Sequence, residues 1–365
     1  MKFIDADAHV EESEEMWKLL DPAFSSRRPI PVRLPEDTTF GRFNAFWLID
    51  GEVFPKMYGR VYFTFGTPPI SAVARAKAVT IPSQTLADVP ARLKDLDAMG
   101  IETQVVFPTL FLAPVCEDVV YEAALCRAYN DFMGAASQKS GGRIRWAAVL
   151  PVRDARRAAD EISRVKSQGA VTAILLSFVW DLPLDSRQFY PFYEECAARN
   201  FPVSIHLGWG SPSINRLFDS RAQTRYTPSA NSVPLLMAFN SMTAGGVLDD
   251  VPGLRVSFLE IGSEWVSYST RFGDRRRRAG EGRAKKPLED YFREGQVYVS
   301  CEPDEDIPYV IQRIGADGLM LASDFPHEDP MAEANLLSEM TKREDLSDEV
   351  KNKILLENPR RFYSL

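Results

Sequence analysis

Asp7 and His9 stand two residues apart near the start of the chain. If that segment is a strand, side chains two apart share a face, and this pair offers an oxygen and a nitrogen to one divalent cation. Asp5 lies on the same face one layer deeper, where it could orient His9 or a water. His206 in IHLGWG and Asp324 in LASDFPH sit in equally apolar surroundings. Together the four make a mixed nitrogen and oxygen donor set that suits Zn²⁺, Mn²⁺ or Fe²⁺, and not Mg²⁺ alone or Cu⁺. Each residue also has a plainer reading. A buried histidine is more often hydrogen-bonded than metal-bound, and Asp324 before Phe325-Pro326 suits a helix N-cap. The joint pattern decides between them, because several carboxylates and imidazoles buried together are costly without a compensating charge.

The elements that must position these residues are visible as apolar, β-branched runs. They are Lys2–Ala6, Thr103–Phe107, Ile144–Leu150, Val171–Phe178, Pro202–His206, Leu254–Leu259, Gln296–Ser300 and Leu319–Ala322. Segments with helical spacing lie between them, among them Ala87–Met99, Val119–Ser137 and Ala155–Gln168, with Gly100 and Gly169 where helices should stop. Strands alternating with helices imply a parallel sheet, and runs apolar on both faces imply burial on both sides. Eight units predict an α/β chain folded as one (β/α)₈ TIM barrel over residues 1–365.

Active sites of such barrels lie at the C-terminal strand ends. Here those ends carry Asp5, Asp7 and His9, then His206, Glu260, Glu302, Asp324 and His327, while strands two to four end in neutral or weakly polar residues. The chain has 3 histidines, and all of them fall at these ends.

The excess length falls between the first strand and the first helix. Residues 25–83 are rich in proline, glycine and aromatics and lack a helical pattern, so they predict a small subdomain over the barrel mouth. A second long connection, Gly208–Pro234, follows the fifth strand. Arg275–Arg278 reads as a solvated face or a subunit contact, with phosphate binding as the sharper alternative. Cys116, Cys126, Cys196 and Cys301 show no metal or disulfide spacing and read as reduced thiols. A net charge of -8 argues against nucleic acid and anionic membranes as partners. No signal peptide or membrane-length apolar run is seen, so a cytoplasmic protein acting on a small molecule is expected.

The motifs IDADAHVEE, IHLGWG, FLEIGSEWV and LASDFPH, in that order, resemble the amidohydrolase superfamily. The resemblance is to its amidohydrolase-related branch, which contains aminocarboxymuconate semialdehyde decarboxylase and aromatic-acid decarboxylases. It spans residues 3 to about 330 and is thinnest over the insertion. It implies metal ligation by Asp7, His9, His206 and Asp324, with Asp324 also a proton shuttle. It further implies a metal that is usually zinc or manganese, one ion or two, and a homodimer. One position departs from the branch: its decarboxylases usually carry a proton-transferring histidine at the end of strand six, where this chain has Glu260. A glutamate there could act as a base or hold a second ion, and that departure favours hydrolysis. The expectation is therefore metal-activated water cleaving an ester, thioester, lactone or amide of a bulky or aromatic acyl group. Asp324, Glu260 and His327 would be catalytic, and Trp209 and Glu302 would bind substrate. The alternative is non-oxidative decarboxylation of an aromatic or unsaturated acid.

Overall fold

The apolar runs become strands because Val, Ile, Leu and Ala can be buried on both faces of a parallel sheet. The computed structural model describes residues 2–38, 41–55, 57–58, 61–62, 66–215, 232–327 and 335–365. The strands are β1 (Phe3–Val10), β2 (Ile101–Pro108), β3 (Ile144–Val149), β4 (Ala170–Leu176), β5 (Val203–His206), β6 (Val256–Leu259), β7 (Val297–Cys301) and β8 (Leu319–Leu321). They form one sheet in sequence order, with every neighbouring pair parallel. Just past β8 the chain meets β1. Ser323 N and Asp324 N both donate to Asp7 O, at 3.1 and 3.0 Å, and His9 N donates to Phe325 O at 2.6 Å. The sheet thereby curls into a (β/α)₈ barrel.

Helices on the outside follow their local signals. The helix α1 (Val89–Met99) is capped by Asp88, which accepts from Ala91 N, and has Pro90 in its first turn. It ends at Gly100, whose φ of 74° is a conformation glycine adopts without strain. Asp118 and Asp154 cap α2 (Val119–Lys139) and α3 (Ala155–Ser167) in the same way. After β4 comes α4 (Tyr190–Ala198), after β5 the helical residues 232–242 (α5), and after β6 α6 (Trp265–Arg278). Next come α7 (Ile307–Ile314) after β7 and α8 (Leu336–Lys342) after β8.

Within residues 25–83, Ile30–Arg33, Ala45–Ile49 and Glu52–Phe54 pair as an antiparallel sheet. Its second turn is Asp50-Gly51, with φ of 53° and 82°, the positive values that tight hairpins require. The segment packs on the barrel through Trp47, whose ring stands 6.1 Å from Trp17, and through Gly66, where a side chain would meet Leu110 Cα at 3.0 Å. Of the Gly208–Pro234 connection, residues 216–231 lie outside the described residues.

The four arginines form the last turn of α6, where positive charge complements the helix dipole. Arg277 pairs with Asp274 at 3.1 Å and Arg276 with Glu281, so half of the run is already committed to carboxylates. All four cysteines are free and buried. Among the described residues no helix is long and apolar enough to cross a membrane.

Candidate active site

Strand β1 is buried along its whole length, but its alternation is not regular. Asp5 faces Gln104 and Ala8 faces Val106, so β1 holds one more residue than β2 across that interval. Such a bulge re-aims side chains. Asp5 consequently does not orient His9. Its carboxylate is held by Gln104 Nε2 at 2.8 Å and by Ser323 N and Oγ at 2.9 and 2.6 Å.

Asp7, His9 and His206 bring one ligand atom each to within 4.8 Å of one another, and His9, Asp324 and His327 do the same. His206 Nε2 lies 3.1 Å from Asp7 Oδ2, and His9 Nε2 lies 3.1 Å from Asp324 Oδ1. The tautomers follow from the other ring nitrogens. His9 Nδ1 is 3.0 Å from Pro108 O and His206 Nδ1 is 2.7 Å from Leu207 O. A carbonyl only accepts, so each Nδ1 carries a hydrogen and, in the neutral ring, each Nε2 turns a lone pair inward. Asp7 Oδ1, His9 Nε2, His206 Nε2 and Asp324 Oδ2 are all buried without a hydrogen-bond partner. Buried polar atoms are rarely left so, and four lone-pair donors converging in one mouth fit a divalent cation.

Asp324 is the fixed point of this arrangement. Its backbone is left-handed, with φ of 54°, so it departs sharply from the β8 direction. Oδ1 lies 2.8 Å from His327 Nδ1, and His327 Nε2 is 3.0 Å from the Thr109 hydroxyl. His327 also stacks on His9, with centroids 4.1 Å apart. Burial would push the Asp324 carboxyl up, but His327 and His9 outweigh it and hold the acid well below the ordinary range. The same partnership raises His327 despite its burial, whereas burial and the neighbouring His327 lower His9. For His206, burial opposes protonation, and the Asp7 carboxylate overcomes it.

Glu260 ends its strand at φ of 75° and places Oε2 3.2 Å from His206 Nδ1. It thus meets the ring on the nitrogen pointing away from Asp7. Glu302 is half-buried, and desolvation together with Glu305, Asp304, Asp324 and Asp7 pushes its carboxyl up to about 8. Trp209 is buried in the loop after β5, its backbone N–H donating to Leu112 O at 2.7 Å.

Several residues of the site were not anticipated. Thr109 follows a strand whose end reads as neutral. Glu12 accepts from Thr109 N at 3.1 Å and Leu110 N at 2.7 Å, so it fixes the loop that carries Thr109, and burial pushes its carboxyl up to about 8. Phe107 walls the site, 5.4 Å from the His206 ring. Lys77, from the insertion, reaches Glu11 at 3.1 Å and Pro326 O at 2.8 Å. Its signal is one lysine in a long irregular segment, which sequence cannot distinguish from a surface charge.

With this geometry in hand, comparison with known proteins is informative. A gamma-resorcylate decarboxylase from Polaromonas sp. is 28% identical over 251 residues, covering 65% of this chain and 76% of that protein. An amidohydrolase from Mycobacterium avium subsp. paratuberculosis superposes with a TM-score of 0.72 at 20% identity, over 100% of this chain and 98% of the other. A 5-carboxyvanillate decarboxylase from Novosphingobium aromaticivorans, solved with manganese and 4-hydroxy-3-methoxy-5-nitrobenzoic acid, gives 0.70 at 18% identity, over 100% and 96%.

The gamma-resorcylate decarboxylase overturns the expectation of a hydrolase. That expectation leaned on Glu260 as a base or second-ion ligand, but this relative by sequence is a carboxy-lyase. Glu260 itself is turned toward a histidine that already faces Asp7 with its other nitrogen. The profile of the Amidohydrolase family matches residues 86–365, from the first barrel helix to the C-terminal residue, and the chain belongs to that family.

Proposed function

We propose that this protein is a metal-dependent, non-oxidative decarboxylase of a small aromatic acid with a hydroxyl beside its carboxylate. The observation that carries the reading is the convergence of four buried, unpartnered atoms, Asp7 Oδ1, His9 Nε2, His206 Nε2 and Asp324 Oδ2. A relative named for gamma-resorcylate supports the reaction and the substrate class. Asp7, His9, His206 and Asp324 would hold the ion. When bound, it supplies positive charge to the substrate carboxylate and the adjacent hydroxyl oxygen. Zinc fits the donor set, and manganese is the ion bound in a structural neighbour, so manganese is the first to load.

The remaining work falls to side chains of this chain. Asp324 rests ionised, so it first accepts a proton, which the phenolic hydroxyl can give. It then returns that proton to the ring carbon that bears the carboxylate. A ring π pair forms the new carbon–hydrogen bond; the carbon–carbon bond then breaks, its electron pair returns to the ring, and carbon dioxide leaves. His327, anchored by Thr109, keeps Asp324 Oδ1 in a fixed direction. Glu260 Oε2, 3.2 Å from His206 Nδ1, sets a negative charge against that ring, which gives the end of strand six a positioning role. Trp209 and Glu302 line the space for the ring, and the insertion covers the mouth, held by Lys77.

The test is to load the protein with manganese and offer carboxyl-¹³C 2,6-dihydroxybenzoate and related hydroxybenzoates. Labelled carbon dioxide and the matching phenol are expected. No carbon dioxide from any of the panel, with manganese or zinc bound, would sink the proposal.

A further inference from the structure

Arg92 points inward from α1 and is wholly buried, an unusual place for a guanidinium. Its Nε donates to Gln104 Oε1 at 2.9 Å and its Nη1 to Ser83 O at 3.2 Å. Nη2 donates to His9 O at 2.8 Å and reaches Phe325 O at 3.4 Å. Gln104 passes the connection on: its Nε2 donates to Asp5 Oδ2 at 2.8 Å. Asp5 in turn receives Ser323 N and Ser323 Oγ, and Ser323 Oγ accepts from Phe325 N at 3.1 Å. The series therefore starts on the peptides of His9 and Phe325 and returns to the peptide of Phe325. It encloses the segment from which Asp324 projects.

The order of groups is chemically forced. A guanidinium has only donors, and Asp5 accepts here at both oxygens, so the group between them must offer an acceptor to one side and a donor to the other. The Gln104 amide does this, and neither an ionised Glu nor an apolar residue can. Stability alone is a poor reason for such a series, because buried charged networks are often no more stabilising than apolar packing of the same volume. What it supplies is geometry on both sides of the β8–β1 seam.

We propose that Arg92, Gln104, Asp5 and Ser323 form a positioning relay that sets His9 and Asp324 at the spacing a divalent cation requires. The inference rests on the metal-centre reading above. These residues act through the peptides they hold and do not touch substrate.

The test uses the full chain, stripped with chelator and titrated with Mn²⁺, well below its melting temperature. Free and bound Mn²⁺ are followed by electron paramagnetic resonance. Gln104→Met keeps the volume and removes both hydrogen bonds, and Gln104→Glu sets a second carboxylate against Asp5. Each is expected to weaken Mn²⁺ binding roughly 10- to 100-fold and to alter the spectrum of the bound ion. A residue that merely stabilised the fold would lower the melting temperature and leave both readouts unchanged in the folded protein. Ser323→Ala, a smaller change, should shift affinity in the same direction by less, and it serves if the Gln104 variants do not fold. Wild-type affinity and spectrum in the folded variants would overturn the relay alone. Failure of the wild-type protein to bind Mn²⁺ would overturn the metal centre, and the relay with it.

Discussion

The Glu260 carboxylate meets His206 at Nδ1, 3.2 Å away, while Nε2 of the same ring faces Asp7 at 3.1 Å. The imidazole thus sits between two carboxylates, one on each nitrogen. Glu260→Gln should therefore lower metal affinity by roughly tenfold or more without displacing the ion altogether, since it acts on a ligand and not on the metal. Isothermal titration with manganese measures this. A complete loss of binding would make Glu260 a ligand itself.

Asp324→Asn removes the group that accepts and returns the proton while keeping nearly the same volume. Turnover should fall roughly a hundred- to ten-thousand-fold with an unchanged circular dichroism spectrum. Carbon dioxide release from 2,6-dihydroxybenzoate is the measurement, and near-normal rates would remove Asp324 from the chemistry.

Chelation should destabilise the protein as well as silence it. Asp7, His9, His206 and Asp324 would be left with buried atoms facing one another. Restoring manganese at a hundred times its dissociation constant should return about 2.7 kcal/mol. Thermal melts with and without the ion test this, and superimposable melts would argue against a site in the folded state.

Glu302 gives the metal-free protein a pH dependence. Its carboxyl is raised from 4.5 to about 8, first by burial and then by neighbouring carboxylates. Between those values the folded protein holds a proton that the unfolded chain has released, so stability should fall as pH rises through that window. Glu302→Gln should flatten the decline. Melting temperatures of both proteins at pH 5 and pH 8 would show it, and parallel declines would assign the dependence to other groups.

Lys77 and Glu11 form a nearly enclosed ion pair, their side chains 7% and 10% exposed. Removing one partner leaves the other charge buried, at a cost of about 3 to 5 kcal/mol. Lys77→Met should thus be more destabilising than Lys77→Met combined with Glu11→Gln. If the double variant is the weaker of the two in chemical denaturation, the pair is not what holds the insertion.

The parts of this site that were legible in the sequence are those governed by local period. Asp7, His9, His206 and Asp324 stand at the ends of apolar runs, and a barrel puts such ends in one place. Gly100 marked the end of α1 because a left-handed residue is needed there. What depends on contacts distant in sequence was hidden. Arg92 lies on a helix that the sequence marks only by its spacing, and its contacts with His9, Ser83, Gln104 and Phe325 explain why it is buried. The bulge in β1 cannot be read from alternation, so Asp5 was assigned to His9 when it serves the seam. The reaction was hidden for another reason. The same donor atoms serve water attack and decarboxylation, and which nitrogen of His206 Glu260 would meet is a matter of loop geometry.

The seam between β8 and β1 has a consequence for how the protein is made. Its hydrogen bonds join residues 318 positions apart, Asp5 and Ser323 among them. Ribosomes extend chains from the N-terminus at a few residues per second or faster, so Asp7 and His9 leave the tunnel long before Asp324 does. For most of synthesis the nascent chain carries half of the proposed ligands on a strand whose edge is still open to other strands. Closing the barrel and completing the ligand set are one late event, which keeps an unfinished chain from trapping metal with the full set.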